Sequence, residues 1–108
     1  MNVQLKGKII CPAELINYSR GSIVSKTLVD RKAGTLTLFA FDRGQGLSEH
    51  VAPYDAVVQI LDGEAAITIS GRKLKAKAGD MVIMPANVPH ELKAERRFKM
   101  LLVMIRGK

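Results

Sequence analysis

Two stretches decide the fold of this chain: residues 44–63, GQGLSEHVAPYDAVVQILDG, and residues 79–90, GDMVIMPANVPH. Each stretch contains one of the only two histidines, His50 and His90. Glycine and proline punctuate both stretches in the order turn, strand, turn. Because both histidines lie in segments with the same organisation, we hypothesise that the fold brings them into one pocket.

Length and composition indicate one globular domain. The chain has 108 residues, of which 47% are hydrophobic, which suits a single core and excludes a disordered chain. The longest apolar runs are too short to span a bilayer, so no membrane association is expected. The first ten residues lack the long apolar core of a signal peptide, and Cys11 is the single cysteine. We therefore expect a cytoplasmic protein in a reducing compartment.

The formal net charge of +7 raises the question of an anionic partner. The basic residues are dispersed, and the chain has two tyrosines, three phenylalanines and no tryptophan. No stripe combines basic side chains with rings on which bases could stack, so the pattern does not favour nucleic acid. A solvated basic face and a small anionic ligand attracted by the positive field are the remaining interpretations.

Apolar residues recur with a period of two along most of the chain, and this pattern predicts β-strands. The expected strands cover residues 23–29, 35–42, 47–50, 56–61, 64–70, 72–77, 81–84, 91–94 and 98–106. The pairs Asp62-Gly63 and Ser70-Gly71 are typical of hairpin turns. No stretch has a sustained helical period, so the sequence predicts an all-β sandwich or barrel.

The two stretches resemble the two motifs of the cupin superfamily. Its first motif has a glycine, five residues, His-x-His, three or four residues, a glutamate, six residues and a glycine. Its second has a glycine, five residues, a proline, four residues, a histidine, three residues and an asparagine. The matching positions are Gly44, His50, Gly63, Gly79, Pro85 and His90. The resemblance implies an all-β, cupin-type double-stranded β-helix, also called a jelly-roll barrel.

The resemblance also implies a domain organisation. One small, RmlC-like cupin domain is expected over residues 1–108. Within it, residues 1–34 are expected to supply N-terminal strands and a turn, and residues 35–106 a barrel that contains both motifs.

The chain departs from the motifs at positions that hold metal in other cupins. Ala52 stands at the second histidine position, Ala56 at the glutamate position and Ala94 at the asparagine position. Cupins that hold iron, manganese, nickel or zinc commonly use three histidines and one glutamate, of which only His50 and His90 remain. Alanine has no donor atom, so a divalent transition metal at these two histidines is expected to be held weakly.

The candidate ligand-binding residues are His50, His90, Tyr54 and Gln59. Side chains alternate along a strand, so an inward Ala56 turns Gln59 outward. A bulge near Pro53 would reverse that parity, and both Tyr54 and Gln59 therefore remain candidates. Two adjacent imidazoles can bind an anion, hold a polar ligand or share a proton, or they can be purely structural.

These residues support three hypotheses of function. In the first, the protein binds a polar or anionic small molecule in the barrel mouth near His50 and His90, with weak metal or none. In the second, it is a metal-dependent dioxygenase or isomerase with the same histidines as ligands. In the third, it is a non-enzymatic binder of anionic partners. Whether the protein is an enzyme stays open, and no catalytic residue is identified.

Two runs, AVVQIL at 56–61 and MLLVMI at 100–105, are apolar on both faces. One face of each run fills the barrel, and the other needs cover from a second layer or a second subunit. We therefore predict a homodimer packed sheet to sheet.

Overall fold

The computed structural model describes residues 5–106, and the ends of the predicted domain, residues 1–4 and 107–108, lie outside them. The described part contains one turn of 3₁₀ helix at Pro12–Glu14 and eight strands. The strands are β1 Ile23–Arg31, β2 Gly34–Phe41, β3 Gly46–His50, β4 Asp55–Ile69, β5 Arg72–Lys77, β6 Met81–Met84, β7 His90–Lys93 and β8 Phe98–Ile105. Within residues 5–106, no helix has the length and hydropathy needed to cross a membrane.

The eight strands form two antiparallel sheets that share β4. One sheet has the order β1-β2-β8-β4-β6, and the other has the order β3-β7-β4-β5. The first half of β4 pairs with β8 and β6, and its second half pairs with β7 and β5. The sheets therefore curl around a common interior as a half-barrel, and the all-β jelly-roll architecture expected from the sequence is confirmed.

The predicted hairpin turn at Asp62-Gly63 is wrong, because β4 runs through these residues without reversing. A register shift between Ile60 and Asp62 inserts one extra residue against β8. The strand bends there and passes from one sheet into the other, as strands with bulges do. The reversal comes after Ile69, at the predicted Ser70-Gly71 turn, where Ser70 and Gly71 both have positive φ.

Gly63 makes this bend sterically feasible. Its φ is +75°, and a Cβ atom built on it would lie 2.1 Å from the carbonyl oxygen of Arg97. Both the backbone conformation and the close approach of β8 therefore require glycine. An Asp-Gly pair is the usual signal of a hairpin, and here the same pair serves a bend within one strand.

The interior is filled by side chains that alternate inward along each strand. Phe41 and Phe98 stack at 4.5 Å between ring centroids, and both are fully buried. Along β4, Val58 and Ile60 are buried before the bulge, and Ala65 and Ile67 are buried after it. The inward-facing residues of β4 change from even-numbered to odd-numbered positions because the bulge adds one residue.

The N-terminal segment, residues 5–22, covers part of the outer face of the β1-β2-β8-β4-β6 sheet. Ile16 is buried there and packs with Leu38 and Ala40 of β2. Lys99 Nζ donates a hydrogen bond of 2.7 Å to the carbonyl oxygen of Ala13, which ties the segment to β8. The outer face beyond this segment carries no second layer from the described residues.

Candidate functional site

His90 is presented by a loop that is fixed to the opposite side of the cavity. The loop, residues 85–89, connects β6 to β7. The backbone N–H of Ala86 donates to Asp55 Oδ1 at 2.8 Å, and the N–H of Asn87 donates to the carbonyl oxygen of Ala52 at 2.7 Å. Asn87 has a φ of +65°, a conformation that asparagine tolerates better than most residues. His90 therefore begins β7 from a rigid support.

His50 reaches the same cavity because of an irregularity in β3. Leu47 pairs with Leu92 and His50 pairs with His90, so β3 takes three residues where β7 takes two. Regular alternation from an inward Leu47 would place Glu49 opposite His90. The extra residue replaces that glutamate with His50 and leaves Glu49 exposed. The sequence analysis did not predict this bulge.

The two imidazoles form a close pair. His50 Nε2 and His90 Nε2 lie 3.1 Å apart, and the rings meet edge to face with 4.4 Å between centroids. His50 Nδ1 is 2.9 Å from the carbonyl oxygen of Ser48, and His90 Nδ1 is 3.2 Å from that of Val88. Each ring is thus oriented by a backbone carbonyl two residues before it.

These partners fix the tautomers of both rings. A carbonyl oxygen only accepts hydrogen bonds, so each Nδ1 carries a proton and donates it. In the neutral pair the two Nε2 atoms then face each other as lone pairs, and a hydrogen bond between them needs one further proton. A hydrogen-bonded pair therefore carries one positive charge at the cavity.

The rings differ in their environment. His90 is 3% exposed, whereas His50 is exposed. Burial lowers the pKa of His90, the nearby His50 lowers it further, and the carbonyl oxygen of Val88 acts in the opposite direction. Burial therefore disfavours a positive charge on His90.

The pair lines a cavity of about 330 Å³. Three of the lining residues have polar side chains: His50, His90 and Tyr54. The other lining residues are apolar: Leu47, Val51, Ala52, Pro53, Ala56, Met84, Leu92, Leu102 and Met104. The cavity is therefore mainly apolar, and the imidazole pair is a polar feature within it.

Of the two additional sequence candidates, the structure brings one to the cavity. Tyr54 lines the cavity. Gln59 does not, because its side chain points away from the interior and its Nε2 donates to the carbonyl oxygens of Gly79 and Asp80 at 3.3 and 3.4 Å. The β4–β8 pairing has no register shift between Asp55 and Ile60, so the parity reversal that would have turned Gln59 inward does not occur.

The donor set does not fit a resident catalytic metal. Ala52 and Ala56 line the cavity and offer no donor atom, Glu49 is exposed, and Asp55 Oδ1 accepts the Ala86 N–H. Residues 5–106 contain no group of three or more histidine, cysteine, aspartate or glutamate side chains that could hold an ion. Catalytic metal sites generally use three protein ligands, so we derive no chemical step through a metal.

The aromatic rings and part of the positive charge are engaged within the molecule. All five aromatic rings lie within the described residues, and each is buried or half-buried. Lys75 on β5 lies 3.9 Å from Glu95, and Arg97 pairs with Asp42 at 3.3 Å, so part of the positive charge is neutralised locally. Without exposed rings on which bases could stack, the charge alone does not define a reading surface.

Comparisons with known proteins agree with this architecture. The family model described as "Cupin domain" matches residues 37–105. No curated protein matches the chain.

Three solved structures illustrate the similarity. A conserved protein of unknown function from Streptococcus pyogenes is 35% identical, with a TM-score of 0.89 over 94% of this chain and 90% of that one. A cupin superfamily protein from Desulfitobacterium hafniense is 28% identical, with a TM-score of 0.88 over 94% of both chains. A "Cupin 2 conserved barrel domain protein" from Leptotrichia buccalis is 41% identical, with a TM-score of 0.84 over 86% of this chain and 45% of that one.

Proposed function

The chain belongs to the cupin family, and from that premise we propose that it binds a small polar or anionic molecule in the cavity beside His50 and His90, with weak metal or none. One observation carries the proposal. Two imidazoles with fixed tautomers bring their Nε2 atoms within 3.1 Å of each other in the lining of a mainly apolar cavity. Such a combination of an apolar compartment and a few convergent polar groups is typical of small-molecule sites.

Each residue has a distinct part in this proposal. His50 and His90 supply the Nε2 atoms that would meet the polar group of the ligand, and Tyr54 is the third residue with a polar side chain in the lining. Ala52 and Ala56 leave the adjoining space open. Gln59 has no part, because its amide is engaged on the other side of β4.

Ligand-observed NMR with a library of small polar and anionic fragments tests the proposal. We expect fragments that bind the wild-type protein to lose binding in the His50→Ala, His90→Ala double variant. The single His50→Ala variant keeps the test valid if loss of the buried His90 impairs folding, and Glu49→Ala is the matched control on the same strand. Equal binding by the wild-type protein and the histidine variants would contradict the proposal.

The metal content of the purified protein distinguishes this proposal from the alternative of a metal-dependent enzyme. Because two imidazoles fall short of a full protein ligand set, we expect less than about 0.1 equivalent of any transition metal in protein purified without an affinity tag. Elemental analysis after dialysis measures this content. A full equivalent of one metal would instead favour an enzyme that uses His50 and His90 as ligands.

We also propose a homodimer, on the evidence of an apolar row across the outer face of the first sheet. Pairing places five residues side by side on five neighbouring strands: Val29, Leu36, Val103, Val57 and Ile83. With about 4.8 Å between strands, the row is about 19 Å long. It contains no charge, and a second copy related by a two-fold axis presents the same chemistry. Analytical ultracentrifugation measures the mass of the protein in solution and so tests the predicted dimer.

We also propose a cytoplasmic location. Cys11 is exposed and forms no disulfide, as suits a reducing compartment. Cell fractionation with an antibody against the protein tests this location.

A further inference from the structure

A second pocket lies at the end of the half-barrel remote from the two histidines. Its volume is about 580 Å³, and it is lined by Asp42, Arg43, Glu95, Arg96 and Arg97. These residues belong to two loops, residues 42–45 between β2 and β3 and residues 94–97 between β7 and β8. His50 ends β3 and His90 begins β7, so the length of each strand places its histidine at least about 10 Å from the pocket.

The two loops that form this pocket are fixed to each other. The backbone N–H of Gly44 donates to the carbonyl oxygen of Ala94 at 2.7 Å. The N–H of Ala94 donates in turn to the carbonyl oxygen of Gln45 at 2.8 Å. The backbone that carries the lining side chains is therefore in place before any ligand arrives, which lowers the ordering cost of binding.

Both acidic side chains of the pocket are engaged by other groups of the protein. The Asp42 carboxylate accepts the backbone N–H of Gly21 at 2.7 Å and a guanidinium N–H of Arg97 at 3.3 Å. Glu95 Oε1 lies 3.9 Å from Lys75 Nζ, outside the lining of the pocket. The negative charges in the lining are thus partly balanced already.

Two of the three arginines keep their charge available. Within residues 5–106, the guanidinium groups of Arg43 and Arg96 form no ion pair, and both side chains are exposed. Arg97 is held differently, because it donates to Asp42 and its guanidinium carbon lies 4.4 Å from the ring centroid of Tyr18. Three of the seven arginines of the chain line this pocket, whereas none of the ten lysines does. The pocket therefore concentrates guanidinium groups in particular.

The chemistry of these groups restricts the class of ligand. A guanidinium is planar and presents parallel N–H donors that match the oxygen atoms of a phosphate or carboxylate, whereas an ammonium acts as a point charge. A phosphate monoester carries a charge close to −2 above pH 7, which balances two arginines, and a carboxylate balances one. A volume of about 580 Å³ also leaves room for the organic part of an ester.

We propose that this pocket binds the phosphate group of a small phosphate monoester, with Arg43 and Arg96 on the phosphate oxygens and Arg97 fixed beside them. The inference goes beyond the proposed function, because it concerns the opposite end of β3 and β7 from His50 and His90. Glu95 opposes the binding of an anion, so its removal should strengthen the interaction.

Titrations of ¹⁵N-labelled protein followed by NMR at pH 8 and low ionic strength test the inference, since salt screens exposed charges. Phenyl phosphate is the probe. Benzenesulfonate is its matched control, with the same ring and three terminal oxygens but one negative charge. We expect phenyl phosphate to bind with a Kd below about 5 mM and benzenesulfonate to bind at least about fivefold more weakly. The amide signals of residues 42–45 and 94–97 should shift, and those of residues 85–90 should not.

Four single variants locate the probe. Arg43→Gln and Arg96→Gln should each weaken phenyl phosphate binding at least about fivefold, because each removes charge-assisted hydrogen bonds. Arg31→Gln makes the same change of charge at the far end of β1 and should change the Kd by less than about twofold. Glu95→Gln should lower the Kd. All four side chains are exposed, so the variants should fold, and thermal unfolding checks this.

Several outcomes would overturn the inference. Equal affinity for phenyl phosphate and benzenesulfonate, or no phenyl phosphate binding at about 10 mM, excludes a site for the phosphate dianion. Inorganic phosphate that binds as tightly as phenyl phosphate excludes the ester as the preferred ligand. A loss of affinity in Arg31→Gln as large as in Arg43→Gln and Arg96→Gln means that the net charge alone attracts the probe.

The His50→Ala variant separates this inference from the proposed function. It should leave phenyl phosphate binding unchanged, because the pocket lies at the other end of β3. A probe that His50→Ala weakens and the arginine variants do not weaken binds in the imidazole cavity. That result would overturn this inference and support the proposed function.

Discussion

Two histidines and two alanines share one cavity, and the contrast between them defines what the site can do. His50 and His90 are each held by a backbone carbonyl through Nδ1, so the Nε2 atoms are oriented before any ligand arrives. Such preorganisation reduces the ordering cost of binding. Ala52 and Ala56 contribute space instead of donor atoms. The site therefore combines two oriented imidazole nitrogen atoms with open space, as the proposed ligand binding requires.

Asp42 links the N-terminal segment to the loop before β8, and its charge should contribute to stability in a pH-dependent way. It accepts the Gly21 N–H at 2.7 Å and an Arg97 N–H at 3.3 Å. The backbone N–H of Gly21, then that of Arg43, then the Arg97 guanidinium hold the pKa of Asp42 below its usual value. A carboxyl whose pKa is lower in the folded state stabilises the fold above its unfolded-state pKa.

We therefore expect Asp42→Asn to lower the melting temperature at pH 7. The difference from the wild-type protein should shrink as pH falls below about 4 and through the lower folded-state pKa, because the wild-type carboxyl then loses its charge as well. Thermal unfolding followed by circular dichroism at a series of pH values measures this. Asp30→Asn, at an exposed position on β1, is the control. An Asp42→Asn difference that is constant from pH 7 to pH 3 would refute the electrostatic explanation.

Strand positions were largely predictable from the sequence, but the two β-bulges were not. The bounds predicted for β5 and β6 agree with the structure, because Gly71 and Gly79 flank β5, and Gly79 and Pro85 flank β6. In β4 the Asp62-Gly63 pair gave a false hairpin. A dipeptide alone cannot distinguish a chain reversal from a bend within one strand. The outcome depends on whether the strand stays paired with β8 through these residues, as β4 does.

The same limit applies to the site. The spacing of the two stretches anticipated that His50 and His90 would meet, and their role in ligand binding stays a prediction. The sequence kept both Tyr54 and Gln59 as candidate ligand-binding residues, because one extra residue in a strand inverts which side chains face inward. The bulge that matters lies in β3, between Leu47 and His50. The sequence contained one indication of this bulge. Leu47 and His50 are three positions apart and would face opposite sides of a regular strand, yet both suit the interior.

The Gly63→Ala variant tests whether the bend in β4 depends on a close approach of β8. Gly63→Ala would place a Cβ atom 2.1 Å from the carbonyl oxygen of Arg97 at a φ of +75°. Gly71→Ala has a similar φ of +80° but meets no atom within 4 Å. The positive φ alone should cost about 1–2 kcal/mol in either variant. We expect Gly63→Ala to lose at least about 2 kcal/mol more, or to fail to fold, because backbone must move.

Urea unfolding of both variants measures the two free energies of unfolding. The difference between them isolates the steric contribution, since the backbone strain is nearly the same in each. Equal losses of stability would mean that β4 does not approach β8 as closely at Gly63 as the structure has it.

The molecule as a whole covers its apolar surfaces unevenly. The interior faces of both sheets meet each other, and Ile16 of the N-terminal segment covers Leu38 and Ala40 on the outer face of the first sheet. The apolar row from Val29 to Ile83 lies beyond that cover, and Ile83 is 61% exposed. Uncharged surface of this extent on a sheet typically marks an interface. The proposed dimer therefore completes the burial that the N-terminal segment begins.

A lysine in the apolar row should separate the two copies. We expect the wild-type protein to sediment at about twice its monomer mass of 11.8 kDa, and Ile83→Lys to raise the dimer Kd at least about tenfold, because association would bury an unpaired charge. Ile83 is exposed in the single chain, so the variant should fold. Ile9→Lys is the matched control, because Ile9 is fully exposed in the N-terminal segment and has no place in the row. Sedimentation equilibrium over a concentration series measures both constants. A monomeric wild-type protein at about 100 μM, or an Ile83→Lys variant that dimerises as tightly as Ile9→Lys, would contradict an interface on this face.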